Sequence, residues 1–128
     1  MRFTPRPVQQ PRIPVWVGGV LPASRPVARA ARWDGMVPIR FADRRLVRPP
    51  AQDIADVRDR IAALRGQPEG GPAGAWDLVV WAEVASAPGE VEKLAPDYQA
   101  AGATWWIETA KPEPGWWEGV TARVARGV

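Results

Sequence analysis

Gly18 and Gly19 close a short run of β-forming residues, Val15-Trp16-Val17, that follows Pro14. Proline has no N–H to give a central ladder, so it marks the start of a strand from Pro14 to Val17. A glycine pair at the strand's end lets the chain turn tightly, or lets a ligand approach bare amides. In parallel α/β sheets ligands lie beyond the carboxyl ends of strands, which is where these amides are expected. Exposed amides of that kind bind phosphate without side chains. A plain strand-to-loop turn accounts for an isolated Gly-Gly just as simply. Glu83 and Glu108 also end expected strands. Two carboxylates on one rim can serve as an acid/base pair, or each can be taken up by a rim arginine.

The residue types that are missing narrow the chemistry further. The 128 residues include no cysteine and no histidine. That removes disulfides, thiolate nucleophiles, the Ser-His and Cys-His systems and most transition-metal sites, so neither a hydrolase nor a zinc enzyme is expected. The formal net charge of +3 comes from arginines spread along the chain. Arg40, Arg44, Arg45 and Arg48 do cluster, but in a loop-like stretch that reads as solvated, and no nucleic-acid partner is expected. No apolar run approaches the ~20 residues of a membrane span and no signal peptide opens the chain, so a cytoplasmic protein without a membrane partner is expected.

Short elements must position these groups, since 15 prolines and 12 glycines punctuate the chain. Residues 1–13 read as an extended lead-in. Pro26 to Trp33 reads as a helix with Val27, Ala30 and Ala31 inward, Ser24 as a cap and Asp34-Gly35 as its left-handed stop. Met36 to Ile39 is a second strand and Arg40 to Pro50 a linker. Pro50 to Arg65 is the clearest helix, with Ile54, Val57, Ile61 and Leu64 on one face and Gly66 as its stop. Trp76 to Val84 is a third strand, apolar on both faces as in a covered parallel sheet. Gly89 to Ala101 is a helix that Pro96 kinks or divides. Thr104 to Glu108 is the fourth strand, in which alternation sends Trp105 and Trp106 to opposite faces. Gly115 to Arg126 is the last helix. Trp33, Trp116 and Trp117 are expected between helix and sheet.

The resulting α/β order, four βα units in succession, argues for a parallel sheet with right-handed crossovers. Its spacing is that of half an eight-unit barrel of ~250 residues. A small open doubly wound domain fits the pattern equally.

Several segments resemble a known family. Pro5-Arg6-Pro7-Val8-Gln9-Gln10-Pro11-Arg12-Ile13-Pro14-Val15-Trp16-Val17-Gly18-Gly19 resembles the fifth-strand region of the bacterial luciferase-like monooxygenases, which are flavin- and deazaflavin-dependent TIM-barrel oxidoreductases. Arg29-Ala30-Ala31-Arg32-Trp33-Asp34-Gly35-Met36-Val37-Pro38 is similar to their helix five and strand six, and Trp76-Asp77-Leu78-Val79-Val80 to strand seven. Tyr98 to Glu108, with Gly102-Ala103-Thr104-Trp105-Trp106-Ile107-Glu108, resembles the passage from helix seven to strand eight. The resemblance covers nearly the whole chain in family order and implies the second half of a TIM (β/α)8 barrel, with Met1 falling in mid-barrel. It implies FMN or a deazaflavin (coenzyme F-420) as cofactor and a small-molecule substrate. Residue by residue it points to Val17, Gly18 and Gly19, then Pro38, Ile39 and Arg40, as cofactor-binding. It also implies a partner, a second copy or a separate N-terminal half, to cover two open sheet edges and an apolar inner face. The alternative is a non-catalytic half-barrel whose role is assembly.

Overall fold

Along the strands, residues that pack under the helices alternate with residues that do not, and this alternation gives the sheet two unlike faces. The computed structural model describes residues 9–66, 76–82, 89–109 and 114–126. Its elements run β1 (Trp16–Val20), α1 (Ser24–Ala30), β2 (Gly35–Ala42), β3 (Arg45–Val47), α2 (Ala51–Leu64), β4 (Asp77–Ala82), α3 (Glu90–Ala100), β5 (Trp105–Glu108) and α4 (Trp116–Arg126). Four strands are parallel in the order β1-β2-β4-β5, so each lies beside its successor, as in half of a β/α barrel. β3 pairs antiparallel with the far end of β2.

Val17, Met36, Leu78 and Val80 form the helix-facing side and join Val27 and Ala30 of α1, Ile54, Val57 and Ile61 of α2, and Tyr98 of α3 in one core. Each large side chain buried there is worth about 1.5–3 kcal/mol. The main core therefore lies on the helix side of the sheet, while on the other face Val79 and Gly35 are also buried. β2 and β4 pair only at Gly35↔Asp77 and Met36↔Leu78. Pro38 is in phase with Met36 and has no N–H to continue that ladder. Beyond Met36 the described residues of β2 and β4 make no further ladder pair, and the strands stay in one sheet.

Several expectations change. β1 runs through Gly18 and Gly19 to Val20 rather than stopping at the glycine pair. Ala23, not Ser24, caps α1, without a side-chain bond. Gly35 opens β2 rather than closing a helix in the left-handed region. Leu64 is exposed, and Ala62 is buried in its stead. Pro96 lies inside one continuous helix, where it and Glu92, whose carbonyl it leaves without an intrahelical partner, are both exposed. Trp33, Trp116 and Trp117 are exposed instead of packed between helix and sheet.

The expected linker after Ile39 contains a hairpin. Asp43 and Arg44, its two turn residues, both take positive φ, 49° and 62°. That is the turn which matches strand twist, usually built with Asn-Gly. A non-glycine residue in this region costs about 1–2 kcal/mol, more than the 0.5–1 kcal/mol of chain entropy a glycine adds. Arg44→Gly is therefore expected to stabilise the protein by about 0.5–1 kcal/mol in urea unfolding. A lower midpoint would contradict the turn geometry.

Candidate functional site

The face turned away from the core carries Trp16, Gly18 and Val20 of β1, Gly35, Val37 and Ile39 of β2, Asp77, Val79 and Trp81 of β4, and Trp105 and Ile107 of β5. The sheet curls toward this side, because the rings of Trp16 and Trp105, on its two edge strands, meet at 5.5 Å. Asp77 lies between them. Its carboxylate accepts Trp16 Nε1–H at 3.0 Å, Trp105 Nε1–H at 3.0 Å and the Thr104 hydroxyl at 3.1 Å. Thr104 in turn accepts the Leu78 amide at 3.0 Å. Two indoles from the edge strands and a hydroxyl just ahead of β5 thus close the amino end of the concave face around one carboxylate.

Toward the carboxyl end the same face is apolar. Val20 is 45% exposed, and Val37, Ile39, Trp81 and Ile107 are half-buried. Trp81 donates its Nε1–H to the Thr109 hydroxyl at 2.9 Å, which fixes the indole plane. Gly18 is exposed here, and a Cβ on it would meet only Ile39 Cδ1, at 3.6 Å. The missing side chain leaves open space over Ile39.

The six residues indicated by the resemblance do not converge. Gly18 and Ile39 are neighbours on the concave face. Val17, Gly19 and Pro38 are buried against the helices, so their side chains serve the core. A Cβ on Gly19 would collide with the Pro26 ring and lie 2.8 Å from Met36 Cε, so glycine there admits α1 rather than a ligand. Neither glycine forms a turn amide. The bond from Leu21 N–H to Ile39 O, 2.8 Å, sets the ladder's phase, in which Gly19 faces β2 and Gly18 faces the outer edge. Arg40 pairs with Asp53 in the first turn of α2, Nη1 to Oδ2 2.5 Å.

The carboxylates also fall differently. Glu108 accepts Trp106 Nε1–H at 3.4 Å, on the helix-facing side, and Glu83 lies outside the described residues. Trp105 and Trp106 do take opposite faces, Trp106 packing edge-on against Tyr98 at 5.2 Å. Burial pushes the Tyr98 phenol above its ordinary value while its hydroxyl donates to Pro49 O at 2.7 Å. Below the sheet, Arg12 grips Asp34 with Nη1–Oδ2 at 2.6 Å and Nη2–Oδ1 at 3.0 Å. That guanidinium, then the Val15 amide, holds the Asp34 carboxyl below the usual carboxylate range.

The Asp77 group was not apparent in the sequence. Its available signal was a carboxylate heading an otherwise apolar strand, flanked in the fold by tryptophans at the heads of two others. Among the described residues no group of three or more acidic side chains is placed to hold a metal. No described helix is long and apolar enough to cross a membrane. No protein-family model, curated protein or solved structure matches the chain.

Proposed function

We propose that these residues are the second half of a luciferase-like flavin or deazaflavin oxidoreductase that acts on a small molecule in the cytoplasm, completed by a first half that lies outside this sequence. The observation that carries this reading is the apolar concave face with Gly18 open above Ile39. From Gly18 and Val20 across Val37, Ile39, Val79 and Trp81 to Trp105 and Ile107, none of these side chains titrates. Such a face moves no proton by itself. It suits a redox cofactor that brings its own reactive atoms and asks the protein for orientation and exclusion of water.

The fit is to the ring alone. Gly18 and Ile39 suit a planar ring laid on the sheet, with Val20 beside it. Val17, Gly19, Pro38 and Arg40 are committed elsewhere, so a phosphate anchor falls to the other half of the barrel. When bound, a flavin or deazaflavin supplies hydride transfer or oxygen activation.

Titration of the protein with FMN, and separately with a deazaflavin, is expected to give saturable quenching of tryptophan emission by one of them. Gly18→Leu fills the space above Ile39 and is expected to weaken that binding at least tenfold, while circular dichroism stays unchanged. Absence of saturable binding for both cofactors ends the reading. A second reading, a half-barrel whose role is assembly, is favoured by the outward-facing edge of β1 and the exposure of α4.

A further inference from the structure

The arginines of this chain fall into two populations once it is folded. Arg40 and Arg48, members of the one cluster visible in the sequence, are taken up by Asp53 and Glu90. The arginines of α1 are not. Arg25, Arg29 and Arg32 recur at i, i+4 and i+7, which sets them on one face of the helix, opposite Val27 and Ala30 in the core. All three are exposed, and none forms an ion pair among the described residues. Helical turns continue past Ala30, because Arg32 and Trp33 donate their amides to Arg29 O and Ala30 O. The stripe therefore runs about 10 Å along the helix axis and ends at Trp33. Trp33 is 40% exposed and stands outside the core. The Arg12 guanidinium lies 5.5 Å from the centre of its ring, and Arg65 Nη1 lies 3.5 Å from its carbonyl oxygen. An exposed indole is thus bordered by guanidinium groups from the lead-in, from α1 and from the end of α2. These five arginines and Asp34, the acid that Arg12 grips, carry a formal +4. The whole chain carries +3, so everything outside this face nets to −1.

We infer that this face binds single-stranded nucleic acid. Arginines that no acid neutralises offer planar forks of N–H donors to phosphate oxygens, and a polyanion relieves their mutual repulsion. Phosphate contacts alone would suit any polyanion, and Trp33 decides among them. An unpaired base stacks on an exposed indole whatever its identity, whereas a base in a duplex keeps its face inside the stack. An acidic peptide would use the arginines and leave the indole idle. The expectation of no nucleic-acid partner rested on Arg40, Arg44, Arg45 and Arg48, of which two are paired; the unpaired charge lies elsewhere. The face sits at the amino end of the strands, since the Asp34 amide bonds Val15 O just ahead of the β1–β2 ladder. Gly18 and Ile39 lie further along that ladder, so the inference is independent of any cofactor.

Fluorescence anisotropy of a labelled oligothymidylate of about twelve nucleotides, titrated with the full chain, is expected to show saturable binding. Arg25, Arg29, Arg32 and Arg65 on four phosphates give a slope of about −3 in log K against log salt, hence about fifty-fold weaker binding at 200 mM than at 50 mM salt. Arg29→Gln/Arg32→Gln removes two of those contacts and is expected to halve the slope. Trp33→Ala is expected to weaken binding about tenfold and leave the slope unchanged. Arg44→Gln/Arg45→Gln makes the same change of charge on the β2–β3 hairpin and is expected to alter neither. Circular dichroism should be retained in all three variants. Absence of saturable binding at the lower salt overturns the inference. So does a hairpin variant that costs as much as the α1 variant, which would reduce the effect to net charge. Polyglutamate, or a duplex of the same length, binding as tightly as the single strand also overturns it. Flavin titration reads other residues and is scored separately.

Discussion

Gly35→Ala is expected to lower stability by about 3 kcal/mol, the upper end for forcing atoms into a packed interior. Gly35 is buried at the head of β2, in register with Trp16 on one side and Asp77 on the other. A Cβ there would stand 2.5 Å from the Asp77 carbonyl oxygen and 2.7 Å from Trp16 Cδ1. The oxygen belongs to a strand backbone, so relief means moving β4 away from β2. Those strands pair at two register positions, and Gly35↔Asp77 is one of them. Against this the substitution gains only about 0.4–1 kcal/mol by stiffening the unfolded chain, and the clash wins. A loss of that size is a large part of the 5–15 kcal/mol of a typical domain and should lower Tm by roughly 10 °C. Gly18→Ala is the control, because its Cβ would meet Ile39 Cδ1 at an ordinary 3.6 Å. It is expected to stay within about 0.5 kcal/mol of the parent protein or slightly above it. Equal midpoints for the two variants in urea would show that β2 and β4 are not held this closely.

These two glycines also show what local pattern can and cannot reveal. Strand order and helix placement were legible because each rests on spacing within a dozen residues, as with Ile54, Val57 and Ile61 on α2. The roles of the glycines were not, because a glycine demanded by a turn and one demanded by close packing are the same residue in sequence. Pro26 and Met36 decide Gly19, while Trp16 and Asp77 decide Gly35, and all of these contacts are tertiary. The hairpin was missed for a different reason. Asp43-Arg44 lacks the Asn-Gly signal its geometry prefers, so Arg40 to Pro50 reads as a linker. Arg40 looked available for an anion because its partner Asp53 lies 13 residues on, in the next helix. For α4 the helix was readable, but Trp116 and Trp117, expected between helix and sheet, are exposed because burial depends on tertiary packing and not on helical spacing.

Asp77→Ala is expected to cost about 2–3 kcal/mol and to loosen the curl of the sheet. The aspartate's partners are remote in sequence, Trp16 at 61 residues and Trp105 at 28, so their meeting is wholly a product of the fold. Hydrogen bonds to a charged acceptor are worth about 1.5–3 kcal/mol each. The full sum is not lost, because Trp105 is 52% exposed and Thr104 is exposed, so both can turn to water. Trp16 is half-buried and has less recourse. Asp77→Asn retains one oxygen but sets an NH2 group against an N–H or O–H donor, and should lose about half as much. Tryptophan emission separates this from a general loss of packing. Freed from the carboxylate, the indoles of Trp16 and Trp105 should shift to the red before the unfolding transition. A double-mutant cycle of Asp77→Ala with Trp105→Phe should give a coupling of about 1 kcal/mol, whereas independent residues would add within about 0.5 kcal/mol. Unchanged emission with an unchanged midpoint would mean that the edge strands find their curvature without this carboxylate. A positive coupling would mean that a single acid in β4 draws both edges of the sheet inward and holds the concave face ready for whatever it receives.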